Sequence, residues 1–168
     1  LQGAVRAFCS TSKKFVTPMP TYSTSEATAR QIGVPITHLD LDSSMAIDLN
    51  TLAEAGRGAG LVYFCNPNNP TGTVHGPDAV EQFVRRVMRE SPDTLIHIDE
   101  AYINYTRPGA MKTALPLAME FENVFITRSF SKAHGLAGMR IGYALGQEST
   151  LAAIRQAWGM GDVNMLAA

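Results

Sequence analysis

The chain has 168 residues, enough for one domain with a real core. Apolar residues make up 45% and charged residues 17%, a balance that excludes a disordered chain. The net charge of −1 gives no general pull toward nucleic acid or an anionic membrane, and the apolar runs are far shorter than a membrane span.

Leu1 to Phe8 reads as helix. The chain starts at Leu1 rather than Met, shows no signal peptide and reaches Ala167-Ala168 without a helix stop signal. The expectation is an internal piece, residues 1–168, of a longer protein. Lys14 to Met19 reads as a short strand. Ser23-Thr24-Ser25-Glu26 is a capping-box pattern, so a helix is expected to start there and to end at Gly33. Pro35 to Leu41 alternates as a strand does, and Asp48 to Ala55 reads as a short helix. Gly56-Arg57-Gly58-Ala59-Gly60 is a flexible turn on this reading. It precedes a strand rather than following one, which argues against a nucleotide-phosphate loop.

Leu61 to Cys65 is a continuous apolar run, as in a strand buried on both faces of a parallel sheet. Pro77 suits the first turn of the next helix, and Val80, Phe83, Val84, Val87 and Met88 fall on one face of it. Arg85, Arg86 and Arg89 fall on the other, read as solvated surface. Thr94 to Ile98 is a strand, followed by a loop to about Ala114 and a short helix. Val124 to Thr127 and Arg140 to Leu145 are strands, and Glu148 to Trp158 is helix. Cys9 and Cys65 give neither a disulfide framework nor metal-ligand spacing and read as reduced thiols. The four histidines, His38, His75, His97 and His134, show no metal-ligand pattern, so no metal is expected. His97 reads as a strand residue.

The alternation predicts an α/β fold of three layers, a mostly parallel sheet with helices on both faces. Ligands gather beyond the carboxyl ends of such strands. Three chemically rich segments fall there: Asn66-Pro67-Asn68-Asn69-Pro70-Thr71-Gly72, Asp99-Glu100-Ala101-Tyr102, and the run from Ser129 through Lys132 to Arg140.

Lys132 is one of four lysines. Its small and apolar neighbours predict partial burial, a lowered pKa and an amine able to form a Schiff base. Ser129 and Arg140 offer a hydroxyl and a planar fork for a phosphate. A Ser-x-x-Lys spacing also serves β-lactam-binding serine enzymes, but their Ser-Asp-Asn and Lys-Thr-Gly companions do not occur here. Asp99 is either a turn cap or a carboxylate that keeps a pyridine nitrogen protonated, so that the ring withdraws electrons from a substrate carbanion. Glu100 points the other way in extended structure. Tyr102 either packs as a half-buried aromatic or donates to a ring's phenolic oxygen. Asn69 could reach the same oxygen, whereas Asn66 and Asn68 are equally well explained by turn geometry. Tyr22 either packs in the core or stacks on the ring. His134 has no derivable role. Together these groups point to pyridoxal 5'-phosphate.

The Asn-Pro-Asn-Asn-Pro-Thr-Gly loop, the Asp-Glu-Ala-Tyr segment and the run from Ser129 to Tyr143 resemble the fold-type I pyridoxal-phosphate aminotransferases. Within them the closest likeness is to the histidinol-phosphate aminotransferases, and it runs from Pro20-Thr21-Tyr22 to Tyr143. A threonine-phosphate decarboxylase shares these motifs. The resemblance implies that Lys132 carries the Schiff base and Asp99 pairs with the pyridine nitrogen. It gives Tyr102 and Asn69 the phenolic oxygen, Ser129 and Arg140 the phosphate, and Tyr22 the ring face. It implies transamination between an amino donor and a 2-oxo acid by a cytoplasmic homodimer in amino-acid biosynthesis. On that pattern the chain is the central part of the large cofactor-binding domain. The N-terminal arm, a Gly-Ser-type phosphate turn, and the small C-terminal domain with its carboxylate-binding arginine lie outside it, so the piece alone is expected to be inactive or nearly so. A decarboxylase or carbon–sulfur lyase on the same scaffold, and a non-catalytic effector-binding module, are the alternatives.

Overall fold

The computed structural model describes residues 1–158, so the Ala167-Ala168 end lies outside the described residues. One sheet contains β1 (Phe15–Met19), β2 (Ile36–Asp40), β3 (Leu61–Cys65), β4 (Leu95–Asp99), β5 (Val124–Ser129) and β6 (Gly142–Gly146), in the order β2-β1-β3-β4-β5-β6. β1 through β5 are parallel, and β6 runs antiparallel to β5 at the edge. The segment 130–141 crosses neither face. Phe130 N–H donates to the Ile141 carbonyl at 3.2 Å, which closes the excursion as a long hairpin.

The helices are α1 (Gln2–Phe8), α2 (Thr24–Gln31), α3 (Leu49–Ala55), α4 (Pro77–Glu90), α5 (Leu115–Glu120) and α6 (Glu148–Trp158). Alternation along the strands sorts the core into two halves. Leu61, Tyr63, Cys65, Leu95 and Phe125 face α1, α2 and α6, together with Ala4, Val5, Ala29 and Ile154. Val62, Phe64, Ile96, Ile98, Val124 and Ile126 face α3, α4 and α5. This is the three-layer α/β arrangement that the alternation predicts. α4 begins at Pro77 and buries Val80, Phe83, Val84 and Val87, each worth about 1.5–3 kcal/mol when fully buried.

Three local expectations change. Ser23 precedes α2 but makes no side-chain cap bond. Glu26 turns to Arg30 at 2.7 Å and His38 of β2 at 3.0 Å, two side-chain partners in place of one backbone amide. The Gly56-to-Gly60 turn is packed rather than loose. Gly58 has φ +66°, and a Cβ on Gly60 would lie 2.2 Å from the Phe8 carbonyl oxygen at the end of α1. The arginine face of α4 is an ion-pair lattice: Arg85 meets Glu81 and Glu120, and Arg86 meets Glu54 and Glu90.

Candidate active site

Helix α2 covers one face of the sheet and α3 the other, so the chain switches faces between β1 and β3. A crevice opens beyond the carboxyl ends of strands at such a point. The loops after β1 and β3 are stitched together there. Thr21 donates to Asn68 Oδ1 at 2.6 Å, and Asn68 Nδ2 donates to the Pro20 carbonyl at 3.1 Å and to Thr71 at 2.9 Å. Asn66 is buried and holds the backbone of His75 at both its N–H and its carbonyl. These two asparagines are therefore occupied in shaping the loop. Asn69 projects its amide elsewhere, to the Tyr102 hydroxyl at 3.1 Å.

Asp99 closes β4 and is 5% exposed. The Tyr63 hydroxyl donates to Oδ2 at 2.9 Å and the Ala101 amide to Oδ1 at 3.1 Å, and Thr127 adds a third hydrogen bond. Burial pushes the Asp99 carboxyl above its ordinary range; the three hydrogen bonds offset part of that push. Glu100 turns to the opposite side, as strand alternation requires. It is buried and accepts from Arg128 Nε and Nη2 at 3.0 Å, Thr113 at 2.9 Å and the Ala114 amide at 2.6 Å. Arg128, Thr127 and Tyr63 were not singled out from sequence. The available signal was a polar or charged residue inside an apolar strand; of the three only Thr127 lies opposite Asp99 in register.

Lys132 lies beyond β5 with its Nζ 5.1 Å from the centre of the Tyr102 ring. It is exposed rather than partly buried. Its amine pKa is raised rather than lowered, because a hydrogen bond to Tyr102 favours the cation and the Tyr22 and Tyr105 hydroxyls add to that. Small neighbours in sequence did not bury the side chain, since Lys132 lies in a loop beyond the end of β5 whose residues 132–138 are all exposed. Tyr22 is 42% exposed, which is not the core-packing alternative. Lys132, Tyr102, Asn69 and Tyr22 thus gather at one place, three residues beyond Asp99 in the case of Tyr102.

Ser129 and Arg140 meet only through Ser131. The Ser131 amide donates to Ser129 Oγ at 3.0 Å, and Arg140 Nη1 lies 3.5 Å from Ser131 Oγ and 2.9 Å from the Ala137 carbonyl. Arg140 adopts φ 55°, an uncommon conformation for a residue with a side chain. His134 packs its ring on Phe130 at 5.1 Å. Beside the site lies a cleft of about 460 Å³ bordered by Asn69, Val74, Tyr102, Tyr105 and Arg107, a size that suits a small molecule. Burial pushes the Cys9 and Cys65 thiols up to about 12, so both are inert. Among the described residues no group of side chains could hold a metal ion.

The family model for aminotransferase class I and II matches residues 1–160, and the chain belongs to that family. It is 42% identical over 143 residues to an aromatic amino acid aminotransferase of Mycobacterium marinum, covering 84% of this chain and 37% of that protein. It is 39% identical over 160 residues to a histidinol-phosphate aminotransferase of Limosilactobacillus fermentum, covering 90% of this chain and 41% of that one. In structure it resembles the histidinol-phosphate aminotransferase of Sinorhizobium meliloti in complex with pyridoxal-5'-phosphate. That match has a TM-score of 0.79 and 31% identity, over 95% of this chain and 44% of that one. The chain spans about two fifths of the length of the curated relatives described above.

Proposed function

We propose that the full-length protein is a pyridoxal-phosphate-dependent aminotransferase and that this chain carries its cofactor-holding floor and anchoring lysine. The observation that carries the reading is the Lys132 amine set over the Tyr102 ring, whose hydroxyl takes the Asn69 amide, next to the buried Asp99 carboxylate. The donor set fits a flat phosphorylated pyridine aldehyde. An amine suits its aldehyde carbon, a carboxylate its ring nitrogen, an amide and a hydroxyl its phenolic oxygen, and hydroxyls with a guanidinium its phosphate.

When bound, the cofactor supplies an electron-poor ring that stabilises negative charge at the carbon bearing the amino group. Lys132 would bond the aldehyde carbon and, once displaced by the amino donor, carry a proton as general base and acid. The hydrogen bond with Tyr102 favours the charged amine in the free protein, so Lys132 would have to pass a proton to a neighbouring base before its nitrogen could attack a carbonyl carbon. Asp99 would hold a proton on the ring nitrogen. Tyr102 and Asn69 would bond the phenolic oxygen, Ser129 and Arg140 the phosphate, and Tyr22 would lie against the ring face.

The amino donor is a ring-bearing amine, such as an aromatic amino acid or histidinol phosphate, and the acceptor is a 2-oxo acid. The names of the Mycobacterium marinum and Limosilactobacillus fermentum relatives support this class, since both donors carry a planar ring. The cleft bordered by Val74, Tyr105 and Arg107 takes the donor's side chain. The full-length protein acts as a cytoplasmic homodimer in amino-acid biosynthesis, with no nucleic-acid or membrane partner. No described helix is long and apolar enough to cross a membrane.

Steady-state kinetics of the full-length protein test the reading. With a ring-bearing amino acid and a 2-oxo acid varied together, parallel double-reciprocal lines and one 2-oxo product per donor consumed are expected. Release of carbon dioxide or of a thiol in place of that product would contradict it.

A further inference from the structure

His97 is fully buried one alternation before Asp99 on β4, on the same face. Its ring stacks on Phe125 at 4.3 Å and meets Tyr63 edge-on at 5.2 Å. Packing alone would be served by an apolar ring. Yet Nε2 lies 2.8 Å from Thr127 Oγ1, and Thr127 sits directly opposite Asp99 in the β4–β5 register, where its hydroxyl hydrogen-bonds the carboxylate. Among the described residues the buried Nδ1 has no hydrogen-bond partner.

We propose that His97 is a positioning residue for Asp99, acting through a one-way chain in which His97 Nε2–H donates to Thr127 and the Thr127 hydroxyl donates to the Asp99 carboxylate. The direction follows from the orphaned Nδ1. A buried N–H without an acceptor is rare and costly, whereas a bare ring nitrogen forfeits only an acceptor. The single proton of the neutral ring therefore sits on Nε2. Thr127 Oγ1 must then accept from the ring, which leaves its own proton for Asp99. The reverse direction would need a protonated Asp99 at one end and an orphaned Nδ1–H at the other. Burial lowers the His97 pKa well below its ordinary value, which keeps the ring neutral and the chain intact. The other groups facing Asp99 are the Tyr63 hydroxyl, the Cys65 thiol and the Ala101 amide. The chain thus orients Asp99 as an acceptor, the state it needs to hold a proton on a ring nitrogen. This role rests on the function proposed above; the direction of the chain does not.

The test is carried out on full-length protein with nitrogen-15-labelled histidine. At neutral pH the His97 resonances are expected to show a protonated Nε2 and a bare Nδ1, with or without pyridoxal phosphate. A protonated Nδ1 would overturn the proposal. For the functional half, His97→Phe keeps the aromatic packing and is expected to bind pyridoxal phosphate about fivefold more weakly, the effect of one hydrogen bond. His97→Gln places an amide N–H where Nε2 was and is expected to recover most of that affinity. Equal affinity in His97→Phe and wild type, or equal loss in both variants, would overturn it. If wild type itself binds no pyridoxal phosphate, the proposed function fails, while the nitrogen resonances still decide the direction of the chain.

Discussion

The floor and the rim of the site are built by different physics. On the floor, Tyr63, His97, Asp99 and Glu100 are buried, and each carboxylate is held by three or more hydrogen bonds. On the rim, Lys132 and Arg140 are exposed and touch few partners. Burial dominates the charge of Asp99, and a neighbouring phenol dominates the charge of Lys132. Under the proposed function, floor residues would serve stability and chemistry together, while rim residues would be free to serve chemistry alone. Substitutions on the two sides should separate these quantities.

The largest effect is expected at the rim. Lys132→Ala should lower turnover of the full-length enzyme by roughly 10²–10⁴-fold, the scale of a lost general acid–base group. Its unfolding free energy in urea should stay within about 0.5 kcal/mol of wild type, as for other exposed positions. A large loss of stability would erase the contrast. The floor should respond the other way. Glu100→Ala leaves the Arg128 guanidinium unpaired and the Thr113 and Ala114 donors unsatisfied, and should cost about 3–5 kcal/mol in the same measurement. Tyr63→Phe removes one donor to a buried carboxylate and should cost about 1.5–3 kcal/mol.

A smaller effect sharpens the comparison through pH. The folded-state pKa of Asp99 is raised above its unfolded value. A raised pKa contributes stability that is present below the unfolded pKa and is lost as pH rises through the folded one. Asp99→Asn cannot lose that contribution. Its unfolding free energy relative to wild type should therefore climb from about pH 4 toward neutrality, while cofactor binding weakens. A difference that stays flat with pH would mean that Asp99 does not titrate differently on folding.

The floor and the rim also differed in how far they could be read from sequence. Period-two and helical patterns gave the strands and helices closely, because buried faces enforce them. Asp99 was legible as a group in need of partners, because a carboxylate ending an apolar strand is costly unless it is hydrogen-bonded. Tyr63 and His97 were not, since their partners come from register: Tyr63 pairs with His97, and Cys65 with Asp99, only once β3 and β4 align. The exposure of Lys132 was misjudged for the same reason. Burial belongs to the neighbourhood in space, and the small residues around Lys132 turned out to line an exposed loop beyond the end of β5. The helix expected at Ser23 forms, but without its capping bonds, because His38, twelve residues beyond Glu26, competes for that carboxylate from another element.

The central claim is that Lys132 anchors pyridoxal phosphate opposite the Asp99 carboxylate. Borohydride reduction of the full-length protein loaded with pyridoxal phosphate, followed by peptide mapping, tests it most directly. The account predicts one pyridoxyl group, on Lys132. Attachment at Lys13, Lys14 or Lys112 instead, or no attachment at all, would contradict it.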